Sequence, residues 1–175
     1  MKTSFIESVL GDMHKFNIPE QIKKIIGCEN SIILTDIGIP KQLVSAKFDY
    51  YETPVVSDNC LLLGTNTHIP EWILRLDLEN NAVFFSGQGK RTPYIYAFYN
   101  SSLEQLLLSL YSDKFFIRRL ILSQTLGAYY DNSDKGRNYE KYACLLEELI
   151  TDIDERAAKE GAWHSLIEEM KLGVI

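Results

Sequence analysis

Apolar residues follow a helical spacing up to about residue 40, alternate with polar ones through the middle of the chain, and return to a helical spacing after residue 100. Phe5, Ile6, Val9, Leu10 and Met13 predict an amphipathic opening helix. Pro19 stands where a second helix can begin. Ile22, Ile25 and Ile26 give it one apolar face and Gly27 a left-handed stop, so a short helix is expected over about 19–26. Ser31–Ile37 carries two signals: β-branching in Ile32-Ile33-Leu34 favours a strand, whereas the Asn30-Ser31 start and the Gly38 stop favour helical turns. Pro40 ends the segment either way.

The period changes over residues 46–99. Trp72, Leu74, Leu76 and Leu78 alternate with Ile73, Arg75, Asp77 and Glu79, which predicts a half-buried antiparallel strand with Asp77 and Glu79 together on its wet face. Asn80-Asn81 tolerates positive φ and leads straight into Ala82-Val-Phe-Phe, the pattern of a tight hairpin. Cys60–Gly64, Tyr94–Tyr99 and Lys47–Tyr51 read as further strands of a meander. At Asn100-Ser101-Ser102-Leu103-Glu104-Gln105 either serine can cap a helix, which Leu103, Leu106, Leu107 and Leu110 then continue with one core-facing stripe. Residues 131–138 form a polar, turn-rich loop. Tyr142, Leu145, Leu146, Leu149, Ile153 and Ala157 resume a stripe, Gly161 breaks it, and Trp163, Leu166, Ile167 and Met170 make a last helix.

The expected fold is therefore α+β: an antiparallel sheet of four to six strands packed by amino-terminal and carboxy-terminal helices, in one domain over 1–175 (1–40 helical, 46–99 sheet, 100–175 helical). At 175 residues the chain can bury a sizeable core without disulfides or metals. Cys28, Cys60 and Cys144 are odd in number and far apart, and read as reduced thiols serving as small core hydrophobes. Glu7 and Asp12 interrupt the apolar pattern that a secretory leader needs, and no apolar run approaches a membrane span, so a cytoplasmic protein is expected. The net charge of −6 argues against nucleic acid as partner and favours a basic or neutral one. Between residues 140 and 175 nine acids face four bases, and Glu140, Glu147, Glu148, Asp152, Asp154 and Glu155 fall opposite the apolar stripe on a solvated face.

Catalytic patterns fail on inspection. Gly87-Gln-Gly89-Lys90-Arg91-Thr92 has Phe84 where a phosphate loop needs its first glycine, Arg91 where it needs a hydroxyl, and no following helix, which leaves Lys90 and Arg91 as a local anion contact at most. His14, His68 and His164 have no second ligand at metal-binding spacing. No cofactor, metal or catalytic residue is expected, and Trp72 and Trp163 read as core aromatics.

Ile33-Leu-Thr-Asp-Ile-Gly-Ile-Pro40 resembles the hydrophobic Gly-Leu-Pro signature of the SUKH superfamily, closest to bacterial immunity proteins of the Smi/Knr-like type. Phe48, Gly64, Trp72–Leu78, the Asn-Asn turn and Val83-Phe-Phe are similar to that family's central strands. Asn100–Gln105 resembles its Asn-Ser-Ser-Leu-Glu-Gln helix start, and Trp163 with Leu166 and Ile167 its closing helix. Ile39 stands for the family's leucine and Leu106 for its aromatic.

The resemblance implies a non-enzymatic immunity protein that binds a cognate toxin of a polymorphic or contact-dependent system, commonly a nuclease or deaminase, and blocks its basic active-site cleft. An acidic inhibitor docks on such a cleft with electrostatic steering. Asp49, Glu52, Asp58, Asp77 and Glu79, beside Tyr50 and Tyr51 as exposed aromatics near a sheet edge, are the expected contact residues, with the acidic terminal helix face as the other candidate. A regulatory protein-binding scaffold, related to cell-wall synthesis regulators, and a small-molecule-binding or hydrolytic protein using Gly87–Arg91 remain as alternatives.

Overall fold

A computed structural model describes residues 3–44, 46–87, 95–117, 119–122 and 139–174. The loop expected at 131–138 and most of the Gly87–Thr92 stretch lie outside them. Helix α1 (Thr3–Leu10) ends at Gly11, whose φ is 85°. Met13 therefore leaves the opening helix and pairs instead with Pro40 in a two-stranded ribbon, β1 (Met13–His14) against β2 (Ile39–Pro40). Helix α2 (Glu20–Ile32) breaks at Gly27, φ 80°, so the expected short helix stops on time and a second one restarts at once. The ambiguous Ser31–Ile37 segment resolves as helix, ending in a π turn over Ile33–Ile37.

The alternating middle of the chain forms a six-stranded antiparallel meander in the order β3 (Gln42–Leu43), β4 (Ala46–Ser57), β5 (Cys60–Asn66), β6 (Ile73–Asp77), β7 (Val83–Gly87) and β8 (Ile95–Asn100). Register shifts bend it at three places: between Tyr50 and Val55, between Leu62 and Gly64, and between Val83 and Phe84. Such shifts increase local twist and curl a sheet. Directly paired residues share a face. Leu61, Leu76 and Val83 in one row, and Gly64, Leu74 and Phe85 in the next, line the face turned toward the helices.

Helices α3 (Leu103–Ser112), α4 (Tyr139–Ile153), α5 (Glu155–Lys159) and α6 (Gly161–Lys171) complete the core, one apolar cluster running from Leu10 to Met170. Ser102 is the cap that the sequence offers twice, since its Oγ accepts from Gln105 N. The other serine has a different task. Ser101 donates from its N (2.6 Å) and its Oγ (3.1 Å) to the two carboxylate oxygens of Asp154, which is 4% exposed. Asn100, fully buried, donates through Nδ2 to Asp154 Oδ2 (3.2 Å) and Ser109 Oγ (3.1 Å), and accepts from Trp163 Nε1 at 2.9 Å. Asp154 also caps α5 by accepting from Ala157 N.

Asp154 is thus a buried junction and not part of the solvated acidic face. It also interrupts the expected stripe, putting Ala157 on a separate helix from Ile153. Gly161, φ 78°, opens α6, and a Cβ there would lie 2.1 Å from the Phe98 carbonyl oxygen, so only glycine fits. Of the three cysteines, Cys60 is buried as expected, while Cys28 and Cys144 are exposed.

Asn100→Ala strips partners from Trp163, Ser109 and Asp154 together, and buried polar groups left unpaired are costly. Urea denaturation is expected to show a loss of about 3 kcal/mol for Asn100→Ala and about 1 kcal/mol for Ser109→Ala, which leaves Asn100 its bond to Asp154. Equal losses would refute the network.

Candidate functional site

The two sheet faces differ in what they offer. On the other face of the sheet, register places Val55, Leu62, Arg75 and Phe84 in one row, which ends on β8 at Phe98, a buried member of the core cluster, with Asp49, Thr65, Ile73, Ser86 and Tyr96 in the next row. Val55 is 56% exposed and Tyr96 47%. Phe84 is buried outside the main cluster, its ring centroid 5.0 Å from that of Tyr96. The Arg156 guanidinium lies over Phe98 at 4.1 Å and closes the β8 side. An apolar row crossed by one arginine, open to solvent at Val55 and flanked by the exposed Tyr96 of the next row, has the composition of a recognition surface.

A third row on this face, Ser57, Cys60 and Asp77, runs along one end of the sheet. Burial raises the Cys60 thiol pKa and Asp77 adds to the rise, against a smaller opposing effect of Arg75, so this cysteine stays a protonated thiol at neutral pH.

The expected contact residues divide into two groups. Asp58, Asp77 and Glu79 meet at that end, where Leu78 N donates to the Asn59 carbonyl and ties the β4–β5 turn to the β6–β7 turn. Asp58 and Asn59 have φ of 50° and 58°, a pair of left-handed residues that closes the hairpin in the primed-turn manner. Asp58 and Glu79 are exposed. Asp77 is not a free strand carboxylate paired with Glu79: its Oδ1 accepts from Glu79 N and Asn80 N, and it organises the turn.

Asp49, Tyr50, Tyr51 and Glu52 sit toward the other end of β4. Asp49 and Glu52 are exposed, and Glu52 also accepts from Asn17 N through its carbonyl. Tyr51 is half-buried and its carbonyl accepts from His14 Nε2 at 3.2 Å. Tyr50 departs from its expected role as an exposed aromatic. It points to the inner face, packs against His14, Phe16 and Phe48, and donates its hydroxyl to the Pro40 carbonyl at 2.8 Å. Burial, with a lesser effect of Tyr99, holds its phenol pKa well above the ordinary value.

The candidate terminal acidic face is partly spent on local pairing. Glu147 and Glu168 both bind Lys171, Glu155 pairs with Lys159, and Glu160 with Arg156. Glu148 and Asp152 stay exposed on α4. Among the described residues no group of His, Cys, Asp and Glu could hold a metal ion, and no helix is long and apolar enough to cross a membrane.

The apolar row on the outer face escaped the reading by alternation, although Leu61-Leu62-Leu63 and Phe84-Phe85 signal it: consecutive apolar residues on a strand mean that both faces want cover. A second feature, a groove between α1, α2 and α3, had only the break at Gly27 to announce it. No family model matches the chain, and no characterised protein or solved structure matches it.

The phenol of Tyr50 is neutral in the fold and ionises more readily in the unfolded chain. Its stabilising effect is complete below the unfolded value of about 10 and is lost as pH rises through the raised folded value. Wild-type urea midpoints should therefore fall above pH of about 10, and Tyr50→Phe should fall less steeply by about 1.4 kcal/mol per pH unit. Parallel pH profiles would show that the phenol ionises equally in both states.

Proposed function

We propose that this chain is a non-catalytic immunity protein that binds a cognate protein toxin, a nuclease or deaminase with a basic active-site cleft, and neutralises it by occupying that cleft. The observation that carries the reading is the outer sheet face: an apolar row with Val55 at the surface and exposed Tyr96 in the row beside it, bounded by exposed Asp49 and Glu52 on one side and by Asp58 and Glu79 on the other. The SUKH-like motifs support the same reading.

A surface built this way divides the work of binding. Apolar and aromatic contacts provide the affinity, because they are desolvated at the centre of an interface. The acids act before contact, raising the encounter rate with a basic cleft. Their reach is short, since the Debye length at physiological salt is about 8 Å, so only charges close to the docking face contribute. Inhibition needs no chemistry from the bound protein; a cleft filled by another macromolecule cannot admit nucleic acid.

Co-expression with the product of the neighbouring gene tests the proposal. Growth rescue together with a stable one-to-one complex is expected. Charge reversal at Asp49 and Glu52, or at Asp58 and Glu79, should lower the association rate about tenfold at low salt. Reversal of Glu148 and Asp152 should change it less than about twofold, since rim charges far from contact are screened. The opposite ranking would move the contact to the terminal helices. Many weak partners and no rescue would favour the scaffold reading.

A further inference from the structure

A second binding feature lies away from the outer sheet face. The restart of α2 after Gly27, together with α1 and α3, encloses an open groove of about 800 Å³. Ile26, Ile33 and Leu107, all buried, are among the aliphatic residues that line it, while Ile32 (47% exposed) and Leu108 (40% exposed) stand at its rim. Asn30 Nδ2 donates to both the Ile26 carbonyl and Asn81 Oδ1, so the wall is fastened to the β6–β7 turn.

The charged side chains among the described lining residues are Glu29 and Glu104, both exposed and both acidic, with no lysine or arginine among them. We infer that this groove receives the apolar face of a basic amphipathic helix from a protein partner. An open trough with aliphatic walls and exposed aliphatic residues along its edge matches the i, i+3, i+4, i+7 anchors of a helix laid in a groove. A small molecule would instead need convergent polar groups in the depth of the site, and here the charged groups lie at the surface.

Charge selects among the remaining occupants. Two acids at the rim repel an anionic lipid surface and pair with lysines flanking an apolar stripe. A second copy of this chain, net charge −6, is a poor electrostatic match. The inference holds whether or not the partner is a toxin, and it concerns a different surface from the sheet face.

The probe is a fluorescein-labelled peptide of four or so helical turns, with leucine at the anchor positions and lysine elsewhere, titrated with the full chain and read by fluorescence anisotropy. A peptide with glutamate in place of lysine, and anionic phosphatidylserine vesicles, serve as comparisons. The leucine–lysine peptide is expected to bind and to lose about tenfold in affinity on Leu108→Lys and on Glu104→Lys, but less than about twofold on Asp49→Lys. Hydrogen exchange should slow over residues 26–33 and 104–111 in the complex. Both substituted positions are exposed, and circular dichroism of the variants checks that they fold.

Equal binding of the glutamate peptide, equal effects of all three variants, or stronger binding of the chain to the vesicles would overturn the inference. So would concentration-dependent self-association abolished by Leu108→Lys, which would make a second copy the occupant. Failure of toxin rescue would leave these outcomes unchanged.

Discussion

The fold is held in register by one buried polar junction. Asn100 connects Trp163, Ser109 and Asp154, and Asp154 gathers donors from Asn100, Ser101 and Ala157. Hydrophobic burial is non-directional, so apolar contacts alone specify placement less sharply than hydrogen bonds do. Each hydrogen-bonding group removed from water and left unpaired costs about 1–3 kcal/mol. The junction therefore selects one placement of the terminal helices on β8 and α3 among many apolar alternatives. Gly161 reinforces the choice by letting the start of α6 approach the Phe98 backbone closely.

The helices pack on one face of the sheet, and the proposed partner contact lies on the other. The shape of that face comes from the register shifts, with the extra residues on β4, β5 and β8, which curl the strands, while the meander order and the Leu78 N bond to the Asn59 carbonyl set the two hairpin turns at Asp58 and Glu79 side by side. The groove arises on the helical side by a separate device, the interruption of α2. The two proposed binding features thus lie on different layers, each shaped by backbone features of its own.

Much of this architecture is legible in the residues. Alternation from Trp72 to Leu78 marks β6, and the Asn-Asn pair marks the turn that follows, although Asp77, the last residue of the strand, turns its carboxylate to two backbone N–H groups of that turn and leaves Glu79 without a strand partner. The helix after Asn100 follows from Ser102 and the leucine stripe. Asp154 is where periodicity fails: its position on a helical wheel says solvent, and only the tertiary approach of Asn100 and Ser101, more than fifty residues earlier, makes burial favourable. Tyr50 fails for a related reason, since its hydroxyl partner, the Pro40 carbonyl, belongs to a ribbon that the sequence does not announce. At the site, the exposed acids were readable as types; their division between two ends of the sheet was not, because it depends on strand register.

The junction also orders events during synthesis. Asn100 and Ser101 leave the ribosome 53 to 63 residues ahead of the groups that complete their bonding. Until Asp154 and Trp163 emerge, the finished sheet presents β8 with its most demanding polar side chain still hydrated, which opposes premature closure of the helices over it. Commitment to the native arrangement waits for the segment that carries Asp154 and Trp163, and a chain that stops before Trp163 keeps Asn100 in water.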